Sequence, residues 1–304
     1  RVRGEDGSAR WVRTQAHPYS AEAGAVTWSG YWVDVSEARA QADALAAAKL
    51  EAEQAVEAKS RFLATMSHEI RTPMSGVLGM LEVLSHSPLD QEQQRIIGVI
   101  EDSAQMLRQI LDDILDYSRM EAGALRLAPV PMPLRPLLES VCSRRSAQAT
   151  ARGRDLKGEI DPRLAPAHEV DGGRLRQIVF NLLSNAIKFT AKGSVRLQVD
   201  VLGATSDEGS QPLRLIVSDT GLGIAEEQIP HLFAPFAQAG AHIQREHGGT
   251  GLGLSICHRL VQTMGGEISL HSVLGEGTRV EALLSLVEAR ADDVQALLSA
   301  QEQT

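Results

Sequence analysis

Residues Met66–Gly79 read MSHEIRTPMSGVLG, and the rest of the chain is arranged around them. Phe62, Leu63, Met66, Ile70, Val77, Leu81 and Leu84 recur at spacings near three and four. That period predicts an amphipathic helix. Pro73 falls inside the pattern; it lacks a backbone N–H and crowds the carbonyl of Glu69, so the helix should kink or loosen beside His68. An exposed imidazole next to the Glu69 carboxylate, on a helix able to bend, suits a nucleophile with its own base.

Composition narrows the setting. The 304 residues suggest two or three domains, and 43% hydrophobic content is ample for packed cores. A net charge of −9 argues against nucleic acid as a partner. Cys142 and Cys257 make neither a disulfide framework nor a metal motif, so a reducing, cytoplasmic location is expected. No run of 18 apolar residues exists, so membrane attachment is expected only through regions outside this chain. The first residue is Arg1, which suggests a piece of a longer protein.

Residues 1–35 hold all three tryptophans, in short runs of β type (Arg10–Thr14, Ala25–Trp28, Tyr31–Val35) with turns at Asp6-Gly7 and Ser29-Gly30. Residues 36–60, rich in alanine and charge and opened by Ser36, predict a linker helix continuing into the His68 segment. Its weak heptad of Leu45, Ala52, Val56 and Leu63 suits parallel pairing in a dimer, and a passive spacer fits as well. After a turn at Ser85–Leu89, Gln91–Met120 predicts a second amphipathic helix. Residues 61–124 thus form a helical hairpin whose apolar faces exceed what one hairpin covers, so a four-helix bundle in a homodimer is expected. Pro-rich residues 124–136 lead into a mixed α/β region, 125–288, with a polar tail at 289–304.

Three motifs in that region suit a nucleotide. On the predicted helix ending at Phe189, Asn181, Asn185 and Lys188 share one face; an amide oxygen suits Mg²⁺ and an ammonium suits phosphate. Asp219-Thr220-Gly221-Leu222-Gly223 follows a strand, and its carboxylate can accept from an exocyclic amino group. Gly249-Thr250-Gly251-Leu252-Gly253 opens a helix, where free N–H groups favour phosphate. Residues 232–247 between the last two read as a lid. Each motif alone is weak.

The SHEIRTP box together with these motifs, in this order, resembles the sensor histidine kinases from about residue 60 to 287. The strands of residues 1–35 resemble the last three of a PAS sensory domain. The resemblance implies a multidomain α+β chain: partial PAS strands, linker helix, dimerising hairpin, and the α/β sandwich ATP-binding domain shared with gyrase, Hsp90 and MutL. It implies ATP as substrate, Mg²⁺ as cofactor, a homodimer, and a response-regulator receiver as acceptor. By the family pattern His68 takes the phosphoryl group, Glu69 accepts its proton, and Thr72 positions water for phosphate removal. Asn185 ligates Mg²⁺, Asn181 and Lys188 meet phosphates, and Asp219 reads adenine. Gly221, Gly223, Gly249, Thr250, Gly251, Leu252 and Gly253 line the nucleotide, with Phe233, Phe236 and Arg245 about the lid. Ser75, inside the phosphoacceptor box, departs from the usual pattern and is expected to change only a local hydrogen bond; Glu246 and His247 depart from it too, which leaves lid behaviour open. Hydrolysing relatives carry Glu four residues before the metal-binding Asn; Asn181 stands there, so hydrolysis should be slow beside transfer to His68. An ATP-driven conformational machine and a catalytically silent scaffold remain as rival readings.

Overall fold

The computed structural model describes residues 1–3, 9–20, 26–151, 153–207, 209–237 and 250–294, with the side chains of His68 and a few others inside helices and strands left aside. The chain divides into two compact units, Arg1–Phe62 and Leu63–Thr304.

In the first unit, β1 (Val2–Arg3) pairs antiparallel with β2 (Ala9–Arg10), and β3 (Val12–Ser20) with β4 (Val26–Asp34). The two short strands expected on either side of Ser29-Gly30 are one continuous strand, β4. The glycine marks a close approach instead of a turn: Gly30 lies opposite Ala16, and a Cβ there would meet the backbone of Gln15 and Ala16. Trp28, Tyr31 and Trp32 stand exposed. Trp11 joins the strands to the helix that follows: its carbonyl accepts from Val35 N at 2.7 Å and its N–H donates to Ser36 Oγ at 2.7 Å. The Arg39 guanidinium lies 3.9 Å from the Trp11 ring centroid.

Helix α1 (Ser36–Ser85) runs unbroken from that junction through Pro73 and continues into the second unit. Helix α2 (Gln91–Glu121) starts at a reciprocal cap: Asp90 Oδ1 accepts from Gln93 N at 2.8 Å, and Gln93 Oε1 accepts from Asp90 N at 3.0 Å. Arg71 of α1 and Asp112 of α2 form an ion pair at 2.6 Å across the hairpin.

The Pro-rich segment after α2 forms strand β5 (Val130–Met132) and then α3 (Leu134–Ala151), followed by β6 (Arg154–Ile160), β7 (His168–Val170), α4 (Gly172–Phe189), β8 (Gly193–Val201), β9 (Ser210–Asp219), a 3₁₀ turn (Glu226–His231), α5 (Gly253–Thr263), β10 (Glu267–Val273) and β11 (Gly277–Val287). A five-stranded sheet of order β10-β11-β9-β8-β6 is antiparallel apart from the parallel β6–β8 pair, and β5 pairs with β7. The strand alternation follows from burial on one face: Val195, Leu197, Val199 and Val201 of β8 point inward. Against them pack Ile178, Val179, Leu182 and Leu183 of α4 and Ile256, Leu260 and Val261 of α5, giving an α/β sandwich. Met120 of α2 is buried in this same core, so the hairpin and the sandwich meet at the end of α2.

Candidate functional site

Asp171 sets the site's principal helix. Its Oδ1 accepts from Arg174 N at 3.0 Å, capping α4, while Oδ2 accepts from Ala128 N at 3.2 Å. Three helical turns on, Asn181 is buried at 8% exposure; its Nδ2 has no hydrogen-bond partner. Asn185 and Lys188 follow, both half-buried, and burial holds the Lys188 pKa below the ordinary 10.5.

Asp219 ends β9. Burial raises its carboxyl pKa, while the N–H groups of Gly221 and Thr278 and the hydroxyl of Thr190 favour the ionised form. The Gly221 N–H donates to Asp219 Oδ1 at 2.8 Å. That carboxylate retains acceptor capacity for a ligand amino group. Gly221 and Gly223 form the turn after it, and Gly275 N donates to Leu222 O at 2.8 Å, tying that turn to the β10–β11 connection.

At the entry to α5, Gly251 has φ +70°, and a Cβ there would crowd the backbone of Phe236 and Ala237 at 2.8 Å, a position for glycine. Thr250 Oγ1 accepts from Leu252 N at 3.1 Å; Leu252 is fully buried and Gly253 begins the helix. Phe233 stacks near His258, with ring centroids 5.1 Å apart, and Phe236, at φ 60°, stands edge-on to Tyr117 at 6.0 Å. Arg245 and Gly249, like most of the expected lid, lie outside the described residues. Glu69 and Thr72 are exposed on α1, and the His68 side chain lies outside the description.

An ATP-type ligand fits these residues: a glycine-walled turn beside a half-buried carboxylate, and a buried amide N–H group without a partner. Among the described residues no cluster of three or more His, Cys, Asp and Glu side chains holds a metal. The half-buried Asn185 side chain offers an amide oxygen, the kind of hard oxygen ligand that Mg²⁺ prefers.

The family described as His Kinase A (phospho-acceptor) domain matches residues 58–123. The family of histidine kinase-, DNA gyrase B-, and HSP90-like ATPases matches residues 170–288. The chain belongs to the sensor histidine kinases. Sensor protein GacS of Pseudomonas syringae pv. syringae is 42% identical over 250 residues, which cover 82% of this chain and 27% of that protein. Autoinducer 2 sensor kinase/phosphatase LuxQ of Vibrio cholerae is 38% identical, over 88% of this chain and 30% of LuxQ. The virulence sensor protein BvgS of Bordetella bronchiseptica is 41% identical, over 94% of this chain and 23% of BvgS. The chain thus spans under a third of the length of these relatives. Among solved structures, full-length ShkA in complex with AMPPNP aligns with TM-score 0.59 and 34% identity, over 75% of this chain and 46% of ShkA.

In this histidine kinase chain, five residues outside the sequence motifs shape the site's surroundings. Arg174 Nη1 donates to Asp116 Oδ1 at 2.9 Å, and Gln177 Nε2 donates to Asp116 Oδ2 at 2.6 Å. Thr250 Oγ1 donates to Asp113 Oδ2 at 3.2 Å, and Gln109 Nε2 to Asp113 Oδ1 at 2.8 Å. Burial raises the Asp113 pKa. Acids, Gln and Arg on exposed helix faces are common, so no local signal marked these five. Among the described residues no helix is long and apolar enough to cross a membrane.

Proposed function

We propose that this chain is an ATP-dependent autokinase core that labels His68 and passes the phosphoryl group to an aspartate of a response-regulator receiver. Residues 1–35 serve as the closing strands of a PAS-like domain, 36–60 as linker, 61–124 as dimerisation and phosphotransfer hairpin, 125–288 as ATP-binding domain and 289–304 as a tail. What carries the reading is one compact unit that holds both the hairpin with the SHEIRTP box and the glycine-walled pocket, with α2 seated on α4.

In the reaction, a ring nitrogen of His68 forms the N–P bond as the bond from the γ-phosphorus to the bridging oxygen breaks. ADP leaves with that electron pair, and the imidazole proton passes to Glu69. Mg²⁺ neutralises charge on the phosphates when bound. Asn181 and Lys188 orient the phosphates, Asp219 accepts from the adenine amino group, and Gly221, Gly223, Gly249, Gly251 and Gly253 let the backbone approach. Thr250 and Leu252 line the nucleotide, and Phe233, Phe236 and Arg245 frame the lid. In the reverse sense, Thr72 positions water for removal of phosphate from a receiver. ATP as substrate and two free thiols suit work in the cytoplasm.

Incubation with γ-labelled ATP and Mg²⁺ tests this. Acid-labile, alkali-stable label is expected on the wild type and absent from His68→Gln and Asn185→Ala. Rapid phosphate release without label on His68 would establish the ATP-driven machine instead.

A further inference from the structure

The ATP-binding sandwich is fastened to the hairpin of its own chain by polar groups. Asp116 of α2 receives both Arg174 and Gln177 of α4, with the Arg174 and Asp116 side chains only 22% and 14% exposed. One turn earlier, Asp113 receives the Thr250 hydroxyl at the mouth of α5. Tyr117 meets Phe236 edge-on. These contacts leave a cleft of about 460 Å³ between hairpin and sandwich, lined on one side by Arg71, Asp112 and Asp116 and on the other by Gln177, Phe180 and Asn181. Arg71 stands three residues beyond His68 on α1, one helical turn away, and its ion pair with Asp112 holds that turn of α1 against α2.

The cleft therefore runs from the helix carrying the phosphate-side amide to the segment of α1 that carries the acceptor histidine, within one chain. The connection between α2 and α3 is the twelve residues 122–133, at most ~40 Å when extended. The bond from Ala128 to Asp171 halves its free length.

We infer that autophosphorylation is intramolecular, the ATP-binding domain serving His68 of its own chain, and that Asp116 is the positioning residue that seats it there. The inference rests on the kinase reading above. A part-buried pivot that uses both Asp116 oxygens orients the donor toward one acceptor before chemistry begins, which is where a pre-set geometry acts on rate. Asp116 touches neither substrate nor acceptor and acts through Arg174 and Gln177.

Two doubly tagged heterodimers decide it. In one, His68→Gln in the first chain faces Asn185→Ala in the second; in the other, a wild-type chain faces a chain carrying both changes. Label is expected on the second heterodimer and not on the first; the reverse pattern overturns the inference by establishing transfer between chains. Wild-type homodimer is measured alongside: without label there, the kinase reading itself falls and the inference with it. Asp116→Arg is expected to slow labelling ~10–100-fold with binding of a fluorescent ATP analogue unchanged, and Arg174→Asp in the same chain to restore most of it. An undiminished rate in Asp116→Arg removes the positioning role.

Discussion

His168 is wholly buried on β7. Gln211 Oε1 lies 3.0 Å from its Nε2, and its Nδ1 has no partner. Gln211 is itself held, its Oε1 accepting from Ala165 N and its Nε2 donating to Arg163 O. Burial pulls the imidazole pKa below its ordinary 6.5, with Gln211 and nearby Glu288 partly offsetting. The unfolded chain takes a proton near pH 6.5 while the folded one resists it. Stability contributed by the neutral ring is therefore complete above that pH and lost as pH falls toward the folded pKa. Urea melts from pH 7.5 to 5 should show stability falling by up to ~1.4 kcal/mol per pH unit from this group, and His168→Phe should flatten that slope. At this scale the nucleotide motifs were legible because amides at i and i+4 and glycines after an acid are unusual sets. Asp113, Asp116 and His168 were not, because an Asp or His carries no mark of the partner that another element brings to it.

Helix α2 begins where Asp90 and Gln93 exchange hydrogen bonds, a D-x-x-Q pattern that was present in the sequence beside the more obvious Pro88. Asp90→Ala should cost ~1 kcal/mol and speed hydrogen exchange at the first turn of α2, with the ATP-binding sandwich unaffected. An unchanged exchange rate there would show the cap to be idle. The helices were read to within a few residues, since a period near 3.6 sustained over many turns has no competing interpretation. Strands were less secure. Ser29-Gly30 looks like a turn, yet pairing with β3 keeps it extended; Val130–Met132 looks like linker, yet β7 recruits it. In both places pairing with a distant partner outweighs local propensity.

Across the molecule, the hairpin keeps a large apolar surface uncovered by its own chain. Met80 and Val83 are each 72% exposed, and Val99 and Met106 more than half. Several such residues on adjoining helices exceed what isolated surface hydrophobics account for. A second hairpin covering them gives the four-helix bundle expected of a dimer. Val83→Lys with Val99→Lys should raise the dimer dissociation constant at least ~100-fold in sedimentation equilibrium, with nucleotide binding retained. A dimer of wild-type strength in that variant would remove this face from the interface.

The chain's own order of residues determined the parts: an acceptor box on one helix, its antiparallel partner, and a sandwich whose motifs suit Mg-ATP. Periodicity and motif spacing are local, so they can be read along the chain. Only the tertiary structure decided how the parts meet, with Asp116 on Arg174 and Gln177, Asp113 on Thr250, and a cleft leading from Asn181 to Arg71. Those contacts join residues from 58 to 137 positions apart, and their strength depends on burial that no single segment possesses alone.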